Sequence, residues 1–299
     1  MQETILEIKD LRKEYKDVVA LQGLNLTIRK GQVFGLLGPN GSGKTTTLAI
    51  LLGVIHAKSG SFSWFNNGDK DENRKNIGAL LETPNFYPYM NAVDNLTVVA
   101  KIKGMHAYDA AIEKVLRRVD LWDRRTSSFR SFSLGMKQRL AIASALLADP
   151  DVLVLDEPTN GLDPEGIMDI RDLINDISRE GKTILIASHI LDELEKVCTH
   201  VAILRKGELL EIGELRDIMA QERMLLLQAE NPETLSGHLQ NIPWVTIKST
   251  ENGEVLVSID ENYTPAQLNQ QLASQGIFLS GIREYRKNLE STFLDIIRS

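Results

Sequence analysis

Gly38-Pro39-Asn40-Gly41-Ser42-Gly43-Lys44-Thr45 is the stretch of this chain that decides its fold, because it matches the phosphate-binding pattern G-x-x-x-x-G-K-[ST]. Before it, Gln32 to Leu37 predicts a buried strand; after it, Thr46 to Leu52 predicts a helix that Gly53 ends. Glycines let the backbone wrap a phosphate, so that successive N–H groups point at the anion. The stretch therefore predicts a nucleotide site in an α/β fold.

Within this loop, two side chains have predicted roles of their own. Lys44 is placed to reach the β- and γ-phosphates, and the Thr45 hydroxyl is placed to bind Mg²⁺. Thr46, the first residue of the expected helix, is a further nucleotide contact. A glycine-rich turn that only caps a helix is the alternative, and the strand-loop-helix context disfavours it.

Polar residues end two apolar runs further along the chain. Asp156 and Glu157 follow the run from Val152 to Leu155, and carboxylates at a strand end rarely serve packing. We expect Asp156 to hold Mg²⁺, directly or through water, and Glu157 to orient or deprotonate the attacking water. Two solvated acids before a proline turn are the alternative. His189 ends the next run, from Thr183 to Ala187, where an imidazole can contact the γ-phosphate.

Composition excludes several classes of protein. With 299 residues, a net charge of −7 and no basic stripe, the chain is not expected to bind nucleic acid as its main partner. Its start lacks the pattern of a signal peptide, and no apolar stretch approaches the roughly 18 residues of a membrane span. The single cysteine, Cys198, is expected to be a small buried hydrophobe. We expect a globular protein of the cytoplasm.

Two domains are expected, one over residues 1–220 and a smaller one over residues 221–299. The first alternates short β-rich runs with helical runs, which is typical of an α/β domain with a largely parallel sheet. Val93 to Lys103 and Ala110 to Val119 have helical patterns, and they indicate a helical insertion over about Phe86 to Arg130.

Beyond Arg223 the pattern predicts a small α+β domain with the ferredoxin-like order of strand, helix, strand, strand, helix, strand. Asn231-Pro232 and Thr264-Pro265 are helix starts, and Asn252-Gly253 predicts a hairpin turn. The fourth strand is expected at Ile277 to Leu279, followed by a last helix from about Leu289. Nothing in this domain indicates catalysis, and its composition leaves regulation, dimerisation and partner recognition all open.

A family resemblance rests on the residues around these sites. Ser133-Leu134-Gly135-Met136-Lys137-Gln138-Arg139 resembles the LSGGQ-type signature of ABC transporter ATP-binding subunits. The stretch from Thr159 to Asp163 resembles the D-loop of that family, His189 its switch histidine and Tyr15 its adenine-stacking aromatic. The match spans roughly Ile5 to Gly213. An aromatic after a first strand is often only packing, which is the alternative for Tyr15.

The resemblance implies a P-loop NTPase domain of ABC type that binds and hydrolyses ATP with Mg²⁺. In this family two such domains pair head to tail, so the expected assembly is a homodimer or a pair with a related ATPase subunit. Ser133 and the amide of Gly135 open a helix expected over Met136 to Ala148, which aims a helix N-terminus at the γ-phosphate of the partner's ATP. Membrane permease subunits, absent from this chain, would hold it at the inner face of the cell membrane.

Two departures from the family pattern stand out. Leu134 and Met136 replace a Gly and a Gln of the signature, while Ser133 and Gly135 remain. Glu82 stands where the family usually has the Q-loop glutamine, and its carboxylate can ligate Mg²⁺ or order water. These features resemble the bacitracin-type and lantibiotic-immunity exporter ATPases. A neutral replacement at position 82, without effect on the substrate class, is the alternative.

Other classes of function stay open at this point. A soluble ABC-type ATPase that acts on ribosomes or DNA is the main alternative, although its known forms carry two such domains or long coiled coils. A module that senses ATP without hydrolysing it is a third, which Glu157 and His189 disfavour.

Overall fold

The computed structural model describes residues 3–65, 70–219, 223–251, 253–260, 262–285 and 293. The chain divides into two compact units between Leu215 and Arg216, which we call the N-terminal and C-terminal units. The predicted mixture of helices and strands is confirmed.

The N-terminal unit is built around a six-stranded sheet with the strand order β5-β6-β7-β3-β8-β9. Its strands are β3 (Val33–Leu37), β5 (Ile77–Leu80), β6 (Val152–Asp156), β7 (Thr183–Ser188), β8 (His200–Arg205) and β9 (Glu208–Glu214). The first five strands in this order run parallel to one another, and β9 pairs antiparallel with β8. Every residue of β3, β6 and β7 is buried, which explains why these strands are continuous apolar runs.

A three-stranded antiparallel sheet with the order β2-β1-β4 lies in the same unit. It consists of β1 (Thr4–Tyr15), β2 (Val18–Arg29) and β4 (Ser59–Trp64). Leu6 and Leu24 of this sheet share one buried core with Phe34 and Leu185 of the larger sheet. The core therefore spans both sheets and fixes them to each other.

Among the residues described above, seven α-helices lie in the N-terminal unit and an eighth begins at its last residue, Leu215. They are α1 (Lys44–Leu51), α2 (Lys70–Lys75), α3 (Ala92–Ile102), α4 (Asp109–Arg118), α5 (Leu134–Leu146), α6 (Pro164–Arg179), α7 (Leu191–Glu195) and α8 (Leu215–Met219). The helix predicted to begin at Met136 begins two residues earlier, because Ser133 caps it by accepting a hydrogen bond from the Met136 N–H at 3.3 Å. Cys198 is buried, and burial raises the pKa of its thiol.

The C-terminal unit has one antiparallel sheet of the order β11-β12-β10-β13. Its elements are β10 (Arg223–Ala229), α9 (Pro232–Leu239), β11 (Val245–Glu251), β12 (Glu254–Ile259), α10 (Pro265–Ser274) and β13 (Leu279–Tyr285). Asn231 caps α9 and Thr264 caps α10. Buried residues that include Leu225, Leu235 and Val257 give this unit a core of its own.

One strand of the C-terminal unit was predicted two residues too early. Ile277 lies outside β13 because its N–H donates to the carbonyl of Leu272 at 3.0 Å, which closes the end of α10. Gly276 makes this closure possible with a φ of +80°. The predicted turn residue Asn252 lies outside the described residues, and so does the helix predicted from Leu289 except for Phe293.

Candidate functional site

The loop from Gly38 to Thr45 connects β3 to α1 and is packed too tightly for side chains at two of its glycines. A Cβ on Gly38 would lie 2.4 Å from the carbonyl oxygen of Leu204 and from the Ser42 hydroxyl. Gly43 has a φ of +106°, which L-residues rarely adopt. The glycines of the pattern thus follow from the shape of the loop.

Lys44 has a buried ammonium group. Its side chain is only 5% exposed, and its Nζ donates to the carbonyl oxygens of Gly38 at 2.7 Å and Pro39 at 3.4 Å. The Oε1 atom of Glu157 lies 3.5 Å from the same nitrogen. The positive charge is therefore held inside the loop, where a phosphate oxygen can replace a carbonyl partner.

Asp156 ends β6 beside the loop and is almost completely buried. Burial raises the pKa of its carboxyl group, and the charges of Glu157 and Glu82 add to the rise. A hydrogen bond with Thr45 and the charge of Lys44 oppose it.

Two buried oxygen atoms mark the place for a bound ligand. Within the described part of the chain, Oδ1 of Asp156 and the hydroxyl of Ser42 lack a hydrogen-bond partner. Buried polar atoms without partners are uncommon and call for a ligand, ion or water. No three His, Cys, Asp or Glu side chains among the described residues converge as a complete metal site. Asp156 and Thr45 therefore fit a Mg²⁺ ion that takes its other ligands from phosphate and water.

The buried carboxylate of Asp156 costs stability in the nucleotide-free protein. Because its pKa is raised, the folded chain binds the proton more tightly than the unfolded chain, and the cost appears as the pH rises above the ordinary value of 3.8. Asp156→Asn should raise the midpoint of thermal unfolding at neutral pH, without nucleotide or Mg²⁺; in a large domain each kcal/mol gained corresponds to about 2–4 °C. This gain should shrink as the pH falls toward 3.8. Exposed Asp123 provides the control Asp123→Asn. An unchanged or lower midpoint in Asp156→Asn would contradict the claim that the buried carboxylate costs stability.

Glu157 bridges the loop and the end of β7. Its Oε2 atom lies 2.8 Å from Nδ1 of His189, while Oε1 faces Lys44. The backbone holds it there with a φ of +48°, and its N–H donates to the Ala187 carbonyl at 2.8 Å. Non-glycine residues rarely adopt such a φ, and this strain is typical of functional positions. The carboxylate is thus fixed between two cationic or polar partners.

Glu82 follows β5 and also has a left-handed backbone, with a φ of +58°. Its side chain is exposed. Its charge acts on Asp156, which places it within electrostatic range of the buried carboxylate. The structure therefore brings Lys44, Thr45, Asp156, Glu157, His189 and Glu82 into one region.

Ser133 and Gly135 lie at the start of α5. They line a cleft of about 460 Å³ together with residues such as Leu162, Asp163 and Gly166. Leu134, which replaces a glycine of the signature, is 46% exposed at this cleft. The lining of the cleft contains neither the phosphate loop nor Glu157. Tyr15 ends β1 and is likewise exposed, by 45%.

Glu193 was not predicted from the sequence as a residue of the site. It lies in α7, just after His189, and accepts a hydrogen bond from the hydroxyl of Thr159. Burial raises the pKa of Glu193, and the Thr159 hydrogen bond opposes the rise. The contact ties the stretch after Glu157 to the helix after His189. The feature of the sequence that could have indicated Glu193 is the acidic stretch from Asp192 to Glu195.

Comparisons with known proteins agree with this geometry. A family model described as "ABC transporter" matches residues 21–160. The bacitracin transport ATP-binding protein BcrA of Enterococcus faecalis is 31% identical over 99% of this chain and 97% of its own length. The lantibiotic transport ATP-binding protein SrtF of Streptococcus pyogenes is 39% identical over 69% of this chain and 89% of its own.

A solved structure shares the fold of most of the chain. It is a dimeric ATP-binding cassette in a post-hydrolysis state bound to ADP and Pi, with a TM-score of 0.64 and 26% identity. The match covers 71% of this chain and 99% of the other. Within the described residues, no helix has the length and apolarity needed to cross a bilayer.

Proposed function

Because the chain belongs to the ABC transporter family and is an ATP-binding, ATP-hydrolysing subunit of it, we propose that two copies close head to tail around ATP and drive a separate membrane permease. The resemblance predicted from the sequence is confirmed. The observation that carries the proposal is the Glu157 carboxylate, which lies between Lys44 and His189 beside the phosphate loop.

The proposed binding roles follow from the atoms around the loop. The backbone N–H groups of Gly38 and of Asn40 to Thr46 bind the phosphates, with Pro39 shaping the loop, and Lys44 exchanges a loop carbonyl for a phosphate oxygen. Thr45 and Asp156 would hold Mg²⁺, and Glu82, whose charge acts on Asp156, would be a further ligand. The ion neutralises charge on the phosphate oxygens when it is bound.

For hydrolysis, the proposed base is Glu157. It orients the attacking water or accepts its proton. His189 fixes this carboxylate through Nδ1, and its other ring nitrogen is placed for a γ-phosphate oxygen. The Lys44 ammonium lies 3.5 Å from the other carboxylate oxygen, so the base and the phosphate-binding cation form an ion pair.

Dimerisation is supported by the position of the signature. Ser133 and Gly135 open the 13-residue helix α5 at a cleft that does not include the phosphate loop. We infer that the positive end of this helix acts on the γ-phosphate held by a second copy, or by a related ATPase subunit. Loss of the γ-phosphate weakens that attraction, which lets the dimer open and transmits motion to the permease.

We propose export as the direction of transport, at the inner face of the cell membrane. The support is the likeness to proteins named for bacitracin and lantibiotic transport, which extends over most of their length. The substrate class is then antimicrobial peptides, lipids or other hydrophobic compounds.

Copurification tests the permease directly. A tagged chain isolated from detergent-solubilised cells should retain a polytopic membrane protein. Ribosomes or DNA in its place would support the soluble alternative, and isolation of the chain alone would count against a stable permease complex. The matched control is the same preparation with an unrelated tagged cytoplasmic protein.

For the C-terminal unit we propose a ferredoxin-like accessory domain over about residues 221–299. In the chain it follows a proposed nucleotide-binding domain over residues 1–220, which contains a helical insertion at about 86–130. The order β11-β12-β10-β13, with two helices at the expected places in the chain, supports this topology.

Glu82 is proposed to link the ATP site to the permease. Glu82→Gln removes a negative charge near Asp156 and keeps the shape of the side chain. ATP binding should persist, while the number of ATP molecules hydrolysed per substrate transported should change about twofold or more. The measurement is ATPase activity and transport in the same proteoliposomes that contain the permease. An unchanged ratio would leave position 82 without a role in coupling.

A further inference from the structure

The Tyr15 ring lies beside a cation. The ammonium nitrogen of Lys13 lies 5.0 Å from the centre of the ring, and both residues are on β1. A cation at this distance over an aromatic face is attracted by the electrons of the ring. One face of Tyr15 is therefore occupied by a positive charge, and the opposite face is the one that can receive a base.

Lys13 is anchored at its far end by the segment that follows α1. Its Nζ donates to the backbone carbonyl of His56 at 2.7 Å. Two more links join the same two segments: the Lys58 N–H donates to the Arg12 carbonyl at 2.8 Å, and the Lys58 ammonium pairs with Glu14. Since α1 begins in the phosphate loop, these contacts hold the end of β1 at a fixed place relative to the helix of that loop.

The strand that follows the turn after Tyr15 contacts the phosphate loop. A Cβ on Gly43 would lie 2.6 Å from the carbonyl oxygen of Ala20, so β2 touches the loop there. Between Tyr15 and Ala20, the side chains of Val18 and Val19 are exposed by 64% and 46%. An exposed ring and two exposed valines beside a triphosphate loop suit a flat, largely apolar base.

We propose that Lys13 is a positioning residue for ATP, which holds the Tyr15 ring in the orientation that stacks on adenine. This inference rests on the proposed function, because it requires Tyr15 to receive the base. The cation fixes the ring before the ligand arrives, so less side-chain freedom is lost on binding. Lys13 acts through Tyr15 and is not required to touch the nucleotide.

Lys13→Met in the full-length chain tests the role, because methionine keeps the unbranched side chain and removes the charge. The KM for ATP should rise about three- to tenfold with kcat unchanged. Competitive inhibition by inorganic tripolyphosphate, which lacks a base, should be unaffected. Lys13→Arg should restore the KM, since a guanidinium also stacks on aromatic rings. Lys9→Met is the matched control, because Lys9 is on the same strand and pairs with Glu7 at the surface at 2.9 Å.

An unchanged KM in Lys13→Met would overturn the inference. Equal weakening of ATP and tripolyphosphate binding would also overturn it, because Lys13 would then act on the fold or the phosphate loop. Tyr15→Ala, measured in parallel, separates this inference from the proposed function. A raised KM in Tyr15→Ala with an unchanged KM in Lys13→Met removes only the role of Lys13, whereas an unchanged KM in both removes adenine stacking itself.

Discussion

Glu157→Gln should lower the ATP turnover number at least about 100-fold, since a positioned general base contributes that much or more. Glutamine keeps the size of the side chain and still fits beside His189 at the position of the 2.8 Å contact. It cannot accept a proton from water, so the chemical step fails while ATP binding persists. The measurement is phosphate release at saturating ATP, together with the Kd for ATP.

The control for this variant is Glu113→Gln, a surface change in α4 that only breaks an ion pair with Arg117. Its turnover should match the wild type, because exposed ion pairs contribute little to stability. If Glu157→Gln released phosphate as fast as this control, the proposed base would be wrong.

Lys44→Ala should weaken ATP binding by on the order of 100-fold or more, because hydrogen bonds to charged groups contribute about 1.5–3 kcal/mol each. The substitution also leaves the Oε1 atom of Glu157 without the ammonium that lies 3.5 Å away. Both binding and hydrolysis should therefore fall, in contrast to Glu157→Gln, which affects hydrolysis alone. Equilibrium binding of a fluorescent ATP analogue measures the first effect and phosphate release the second.

A variant of an exposed lysine, Lys101→Ala in α3, serves as the control for Lys44→Ala. Circular dichroism of both variants checks that each is folded. Full ATPase activity in folded Lys44→Ala would refute the assignment of the phosphate loop.

The local features of the fold could be predicted because they depend on neighbours in the chain. The loop glycines and the caps Asn231 and Thr264 appear in the structure at the residues that the sequence indicated. Strands that are continuous apolar runs, such as β6 and β7, could be predicted equally well, since both faces of a parallel sheet are covered. The ends of helices and strands were predicted less accurately, as the start of α5 shows, because capping contacts determine where they lie.

Contacts between distant segments could not be predicted. Nothing in the sequence reveals that the two oxygens of Glu157 face Lys44 and His189 separately, or that Glu193 accepts a hydrogen bond from Thr159. The same holds for the cleft that Ser133 shares with Leu162 and Gly166. In the proposed mechanism, a second chain completes the ATP site by presenting its signature helix.

Sedimentation of the Glu157→Gln variant tests most directly whether the ATP site is completed by a second copy. With ATP and Mg²⁺ we expect a species of twice the 33.4 kDa chain mass. With ADP, or when Lys44→Ala is added to the same chain, the mass should return to that of one chain. A mass of 33.4 kDa while ATP is demonstrably bound, or a dimer that forms regardless of nucleotide, would contradict the account.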